Sequence, residues 1–390
     1  MPTAEASLSS TLHLFVEQHG AVVQQAVFDT LTPVIERLTV RGTDLPPTAT
    51  SIGFSYRYDP ESGAFVREVG PLDSIFVEPA RTVGRGNWAV GASYQRAELT
   101  DFDGHDLAGQ VALRQTVRFE EGGRIDAMLR FTELEVIADV VTAFVTYGLT
   151  EDWDVNVLLP VSHTRLSTRA QKVREVVEPG QPSVRSTTSV AASDDAVGFG
   201  DLLLRTKWRV ARSPLDLALG LNVRAPTGAA GEFQGLGDWT VQPLLILGRE
   251  FGRHEAHLTL GGEVDADDLE RTRARYAVGA STQPLEGLAL IVDLIGSSSF
   301  VDDRFTITSP NFAPVRSAFL DQFQVRPAAP ARGGFRAVEA LPRNDIVDVD
   351  VGVKWNPRGG VFVFVSALIP ATPDGLRANV IPAVGVQYAF

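Results

Sequence analysis

Apolar and polar side chains alternate with a period of two along most of the chain beyond Gly86. This alternation predicts β-strands with one apolar face, because successive side chains of a strand point to opposite sides. Each segment spans about 10 to 16 residues, and ~9–11 residues are enough for a tilted strand to cross a bilayer. We predict twelve strands, with fourteen as the alternative count: 86–98, 132–148, 152–166, 198–211, 214–226, 237–250, 254–265, 270–282, 286–301, 345–356, 360–370 and 376–390.

The last segment, Val380 to Phe390, shows this alternation most clearly, with large apolar side chains on one face and small or polar ones on the other. We expect Tyr388 and Phe390, together with Trp355, to form an aromatic girdle at a membrane interface. A terminal aromatic residue after such a strand resembles the signal that the barrel-assembly machinery reads. The alternative is the closing strand of a soluble β protein.

The connections between the predicted strands alternate between short and long. Outer-membrane barrels show the same asymmetry, because tight turns lie on their periplasmic side and longer loops lie outside. An even number of strands then brings both ends of the barrel to the periplasmic side. The tight links are 149–151, 213, 252–253, 283–285 and 357–359, and the long links are 167–197, 227–236, 266–270, 301–344 and the shorter 371–375.

Charges within the strands keep to one face. In Asp345 to Trp355, for example, Asp348, Asp350 and Lys354 oppose a row of valines. A charge on the lipid face costs ~2–4 kcal/mol near the midplane, so the charged face is expected to point into the lumen. The predicted fold class is therefore an all-β, transmembrane antiparallel barrel formed by residues 86–390.

Residues 1–85 follow a different pattern. Apolar residues between Leu8 and Val34 recur at helical spacing, and Pro33 marks a new helix start. A turn-rich stretch and a short extended piece, Ser51 to Tyr58, follow. We predict an α-helical segment that plugs the lumen, with a periplasmic cap or a position on the membrane surface as alternatives.

Composition narrows the class of protein. No window holds the ~18 uninterrupted apolar residues of a spanning helix, and a net charge of −13 argues against a nucleic-acid partner. The chain has no cysteine and 35 glycines, which suits a barrel folded beyond an oxidising periplasm. The N-terminus has no basic residue before Arg37, so we expect the export signal to be absent from this sequence.

Three motifs resemble a known family. The segments Tyr147 to Val161, Val197 to Val210 and Leu219 to Trp239 carry YGLT, GFGD and PTG in the order found in outer-membrane proteins of the MetA-pathway phenol-degradation family. Residues 70–95 also resemble the entry to that family's first strand, while the long N-terminal region departs from its pattern. The resemblance implies a bacterial outer-membrane channel for passive diffusion of small hydrophobic or aromatic compounds, with membrane lipids and a small solute as partners. Turn chemistry alone also accounts for all three motifs.

Inward-facing charges are the candidate functional residues. Facing rows of opposite charge either select solutes in a pore or satisfy one another in a narrow lumen, and we favour pairing. The predicted lumen charges are Glu255, Glu263 and Asp265 opposite Arg271, Arg273 and Arg275, then Arg205, Lys207 and Arg209, then Arg224, and finally Asp348, Asp350 and Lys354.

Other functions have weaker signals. Ser162 and His163 are adjacent in a strand, so they point to opposite faces and cannot act as nucleophile and base. The six histidines show no metal-binding spacing, and no cofactor motif stands out. We predict no enzyme, metal or cofactor, and keep a lipid-acting enzyme and a surface adhesion barrel as alternatives.

Overall fold

The computed structural model describes residues 45–49, 54–59, 64–69, 72–102, 104–106, 112–118, 124–212, 215–300, 303–309, 335–341 and 345–390. Two 3₁₀ turns, Ala230–Glu232 and Leu269–Arg271, interrupt the outer connections of this part of the chain. None of the helices within it has the length and apolar character needed to cross a membrane.

The strands, numbered in chain order, are β1 Phe54–Asp59, β2 Ala64–Val69, β3 Trp88–Phe102, β4 His105–Asp106, β5 Ala112–Arg118, β6 Arg124–Thr150, β7 Trp153–Val177, β8 Val184–Phe199, β9 Leu202–Ala211, β10 Asp216–Ala225, β11 Thr240–Phe251, β12 His254–Asp265, β13 Arg273–Leu285, β14 Leu288–Ser299, β15 Asp303–Ser309, β16 Phe335–Leu341, β17 Asp345–Arg358, β18 Val361–Pro370, β19 Leu376–Ala378 and β20 Ile381–Ala389.

Twelve of the described strands close into one antiparallel barrel, in the order β3, β6, β7, β9, β10, β11, β12, β13, β14, β17, β18 and β20. Closure is made by β3, which pairs with β20 on one side and with β6 on the other. Trp88 and Phe390 exchange two backbone hydrogen bonds of 2.9 Å at this seam. The predicted all-β barrel and its strand number are confirmed.

The tight connections lie at one end of the barrel, which we call the turn end, and the longer ones lie at the other, the loop end. Three of these turns, at residues 151–152, 286–287 and 359–360, lie one to three residues later than predicted, whereas the turn at 252–253 lies where it was predicted. The chain reverses at Gly252, Gly287 and Gly360. Their φ angles are positive, at 67°, 74° and 82° respectively. Glycine adopts this conformation without a steric penalty, so these residues fix where the strands stop.

The outer link 167–197 was predicted as a loop, and this prediction is wrong. β7 continues to Val177 and pairs with β8 from Val161↔Phe199 to Val176↔Val184. β5 likewise extends the sheet along β6. β8 is rich in polar residues, and it is exposed on both faces up to Ser189 and on one face beyond that residue. It therefore lacks the apolar alternation by which the membrane strands were found. Backbone pairing, which composition does not reveal, holds this outer sheet together.

The barrel wall separates charge from apolar surface. Asp348, Asp350 and Lys354 of β17 are buried inside, whereas Val351, Val353 and Trp355 of the same strand are exposed outside. Tyr388 and Phe390 are also exposed, and their rings stack with centroids 5.4 Å apart. The outward apolar face suits hydrocarbon and the twelve described barrel strands form a closed ring, which places the protein in a bacterial outer membrane.

A non-helical stretch lies inside the barrel at the turn end. Residues 72–87, which we call the lumen segment, contain bends and turns and are mostly buried against inward-facing side chains of the wall. Residues 45–49 lie beside it, since the Ala49 amide donates to the Ile75 carbonyl at 2.7 Å. The predicted helices between Leu8 and Val34 lie outside the described residues. The predicted extended piece overlaps β1, which pairs with β2.

The YGLT motif joins the lumen segment to the wall. Gly86 donates to the Gly148 carbonyl at 2.8 Å, and Gly148 donates to the Asn87 carbonyl at 3.0 Å. Tyr147 packs on Trp88 with ring centroids 4.5 Å apart. The close approach requires glycine, because a Cβ at position 148 would lie 1.9 Å from the Gly84 carbonyl oxygen.

We therefore expect Gly148→Ala to destabilise the folded barrel by about 1–3 kcal/mol, the usual cost of overpacking. The measurement is urea unfolding in lipid vesicles, followed by tryptophan fluorescence. Gly262→Ala is the matched control, because its Cβ would meet its nearest neighbour, the Arg273 carbonyl oxygen, at an ordinary 3.7 Å. Equal midpoints for the two variants would contradict the close packing of Gly148 on the lumen segment.

Candidate functional site

Asp293 on β14 anchors the lumen segment near the middle of the barrel. Its Oδ2 accepts a hydrogen bond from the Ser74 hydroxyl at 2.5 Å and from the amides of Ile75 and Phe76 at 3.1 and 2.9 Å. Ser74 Oγ in turn accepts from the Val77 amide at 2.8 Å. The turn at 74–77 is thus built around one buried carboxylate, in the charge-assisted manner that strengthens such bonds.

Basic residues of β9 hold the next part of the segment. Lys207 Nζ donates to Glu78 Oε1 at 2.9 Å and to the Pro79 carbonyl at 2.7 Å. Arg205 lies 3.8 Å from the other oxygen of Glu78. Two predicted lumen charges therefore contact an acid of the segment.

The segment leaves the lumen close to the turn end. Asp154 on β7 accepts from the Val83 amide at 3.0 Å, and the Thr82 hydroxyl donates to the Glu151 carbonyl at 2.7 Å. Between these contacts and Lys207, Arg81 binds Glu255 of β12 and lies 2.5 Å from Glu250 of β11. The lumen segment is consequently fastened to several strands around the barrel.

Residues 45–49 are held by amide side chains instead of charges. Gln95 of β3 donates to the Pro46 carbonyl at 3.0 Å, and Gln387 of β20 donates to the Ala49 carbonyl at 2.9 Å. Neutral amides can satisfy backbone carbonyls in the lumen without adding charge. The closing seam of the barrel thus carries this second piece.

Most of the remaining predicted charges pair with each other or with loops. Arg275 Nη2 lies 2.7 Å from Glu263 Oε2, and Arg224 lies 3.9 Å from Asp201. Asp348 pairs with Arg377, a partner that the sequence pattern did not identify. Arg273 is buried, and Lys354 Nζ lies 5.9 Å from the Phe362 ring centroid. Asp350 is fully buried directly opposite Asp293 in the β14–β17 register.

Two predicted positions need correction or refinement. Arg271 does not belong to a strand: it ends the 3₁₀ turn 269–271 and binds Asp238, with Asp265 at 3.7 Å. Arg209 reaches the turn end, where its Nε lies 3.0 Å from Asp152. Burial raises the pKa of Asp152, but hydrogen bonds from Arg212 and Arg209 outweigh this effect and hold the pKa below its usual value.

The GFGD and PTG motifs meet at the loop end. Asp201 accepts from the amides of Gly228 and Leu236 at 3.0 and 2.7 Å. The Thr227 hydroxyl accepts from the Leu202 amide and donates to the Gly200 carbonyl, at 2.8 and 3.0 Å. These contacts hold the connection between β10 and β11 in one conformation. The two motifs therefore have the folding role that their turn chemistry suggested.

Cavities lie between residues 45–47 and the wall, on the loop side of the lumen segment. One of about 320 Å³ is lined by apolar residues such as Leu99, Ile295 and Leu368 and by the paired charges near Arg273. Another of about 150 Å³ shares Ile295 and Leu45 with it and reaches Phe76. A third of about 70 Å³ lies beside Pro160 and Phe233. The lumen therefore holds the lumen segment at the turn end and a space with mixed polar and apolar lining beyond it.

Neighbouring Ser162 and His163 are placed as expected. Ser162 is buried inside, whereas His163 is partly exposed and lies 3.1 Å from Asp195 of β8. This separation gives the pair no route to act together in catalysis. Sequence analysis gave Asp293 and Asp73 no role and found no metal-binding spacing around His257, because the contacts of these residues depend on where the lumen segment lies.

No family model and no curated protein matches the chain. Among solved structures, it is similar to an outer membrane channel from Pseudomonas putida F1, with a TM-score of 0.50 and 12% identity over 83% of this chain and 100% of that one.

Two other structures have lower TM-scores. A FadL homologue from Pseudomonas aeruginosa has a TM-score of 0.33 and 7% identity over 78% of this chain and 89% of that one. A deltaS2S3 mutant of the TodX monoaromatic hydrocarbon channel has a TM-score of 0.27 and 11% identity, with the same coverages. The first similarity is one of fold. The predicted likeness to outer-membrane channels is thereby confirmed at the level of the fold.

Proposed function

We propose that the protein is an outer-membrane channel through which small hydrophobic or aromatic compounds diffuse passively. The observation that carries the proposal is a closed barrel with solute-sized cavities on the loop side of the lumen segment, which is itself bonded to the wall near the turn end. This arrangement suits selective passage of single small molecules better than a wide water column.

The size of the cavities supports an aromatic solute. An apolar cavity of ~150 Å³ is sufficient to bind benzene, and the cavities beside residues 45–47 measure about 150 and 320 Å³. Wall charges that pair with each other need fewer contacts with water than isolated charges, so a neutral solute displaces water beside them at a lower cost. Toluene, a single aromatic ring with one methyl group, is therefore a suitable test solute.

The proposed partners follow from the same features. Outer-membrane lipids contact the exposed apolar face, a small solute occupies the cavities, and the barrel-assembly machinery acts on the closing strand β20 during insertion. Catalysis is not part of the proposal, because Ser162 and His163 lie on opposite sides of β7.

The solute path can be tested by filling the cavities. Ile295 lines both of the larger cavities, whereas Leu294 is exposed on the opposite face of β14. Tryptophan at position 295 would take up much of the space that a monoaromatic ring needs. We expect Ile295→Trp to reduce toluene uptake into proteoliposomes several-fold, and Leu294→Trp to leave it unchanged. A panel with a fatty acid and a sugar would define the substrate class.

Two outcomes of the uptake assay would count against the proposal. Wild-type uptake of toluene no faster than in empty liposomes would remove the channel function. Equal uptake by Ile295→Trp and wild type, with both folded by heat-dependent gel mobility, would remove the cavities from the path.

Release of the lumen segment should increase the leak of ions. Asp293→Ala removes the carboxylate that accepts three hydrogen bonds from the lumen segment. Each hydrogen bond to a charged group contributes ~1.5–3 kcal/mol. We expect more frequent openings in planar bilayers and faster proteolysis within residues 72–83. Asp348→Asn is the control, because this residue pairs with Arg377 and not with the segment. Identical traces for the two variants would show that Asp293 does not hold the block.

The outer sheet favours a second candidate function, attachment at the cell surface. β7 and β8 project as a paired ribbon to Val176↔Val184, and most of β8 is exposed. The ribbon residues 171–189 do not line the cavities described above. Replacing them by a two-residue turn should leave toluene uptake unchanged. A loss of cell attachment in that variant would support the surface role, and a loss of uptake would assign the ribbon to the channel.

A further inference from the structure

A second group of buried side chains joins the lumen segment to the wall, apart from the Asp293 anchor. Asp73 of the segment meets Glu255 and His257 of β12, and one ligand-type atom from each residue lies within 4.8 Å of the other two. His257 Nε2 is 3.4 Å from Glu255 Oε1. Residues 255 and 257 both point inward because they are two positions apart on one strand.

These three side chains carry polar atoms that protein partners do not satisfy. Asp73, His257 and Glu255 are 2%, 3% and 4% exposed. Within the described part of the chain, both oxygens of Asp73, both ring nitrogens of His257 and Oε2 of Glu255 are buried without a hydrogen bond. Buried polar groups are almost always bonded, and leaving them unsatisfied is costly. Several unsatisfied atoms converging on one point indicate a ligand.

Arg81 holds one residue of the group in place. It binds Glu255 and lies 3.8 Å from Asp73 and 2.5 Å from Glu250, whose side chain is half exposed. The guanidinium contacts Glu255 through Oε1, which leaves Oε2 buried without a hydrogen bond and available to an ion. Arg81 would therefore fix the orientation of this carboxylate when an ion binds.

The chemistry of the donors selects the class of ion. Imidazole nitrogen favours zinc and other late divalent transition metals, and carboxylate oxygens complete such sites at ~2.0–2.2 Å. Two ligands of a tetrahedral ion at that distance are about 3.4 Å apart. One ligand-type atom from each of Asp73, Glu255 and His257 lies within 4.8 Å of the other two, so small side-chain movements would bring the three donors to this separation.

We propose that Asp73, Glu255 and His257 bind a divalent transition-metal cation, of which zinc is the representative. The ion would link the lumen segment to β12 and act as a second clasp beside Asp293. Sequence spacing could not suggest this site, because Asp73 lies far from the two β12 residues along the chain. Binding of the ion does not depend on which solute the channel carries.

The test uses the full chain, without an affinity tag, folded in detergent and freed of metal by a chelator. Equilibrium dialysis against zinc chloride, with the bound metal measured by mass spectrometry, gives the stoichiometry and affinity. We expect one zinc per chain in wild type and in His254→Gln, a control with an exposed histidine on the same strand. We expect His257→Gln and Asp73→Asn to bind zinc at least about tenfold more weakly.

X-ray absorption on the zinc-loaded protein should show one nitrogen and at least two oxygen donors. Asp73 lies outside the barrel strands. The zinc affinity of Asp73→Asn can therefore be measured even if His257→Gln, which changes β12, folds poorly. Heat-dependent gel mobility reports folding of every variant. Absence of bound zinc in wild type, or equal zinc affinity in wild type and both folded ligand variants, would overturn the proposal.

Discussion

Every backbone amide and carbonyl that crosses hydrocarbon has to be hydrogen-bonded within the protein, and this constraint shapes the whole chain. Closure of β3 on β20 meets the constraint, because it leaves no open edge among the twelve described strands of the barrel. Once the sheet is closed, each strand has one face toward lipid and one toward a confined lumen. Charged residues of the wall, such as Asp350 and Lys354, can therefore lie only inside, where they are buried.

The confined lumen determines what those charges do. A wide pore would leave them hydrated, but here most described wall charges contact a protein partner. Glu255 and Lys207 bind the lumen segment, and Glu263 binds Arg275. Pairing, which the sequence favoured over solute selection, thus dominates the observed contacts. Pairing with wall charges also fixes the position of the lumen segment, which has no regular hydrogen-bonding pattern of its own.

The period-two pattern was sufficient to predict closure, strand number and the faces of the wall, because lipid imposes that period on each membrane strand. It could not predict the outer ribbon of β7 and β8, since water imposes no such period there. It also could not assign partners to the charges. The stretch around Asp73 and Arg81 has no periodicity, so nothing in the sequence places it against Glu255 or Asp293. Arg271 was misplaced for a related reason, because the alternation of arginines continues two residues before the start of β13, into a 3₁₀ turn.

The distribution of anchors limits how the turn end can open. Contacts to the lumen segment come from β7, β9, β12 and β14, through Asp154, Lys207, Glu255 and Asp293. Hydrogen bonds to charged groups contribute ~1.5–3 kcal/mol each, so release of all of them together would be slow. Local movement of one turn, with the others still bound, requires far less free energy. The proposed solute of one aromatic ring needs only such a local opening, because the cavity of about 150 Å³ already reaches Phe76 of the lumen segment.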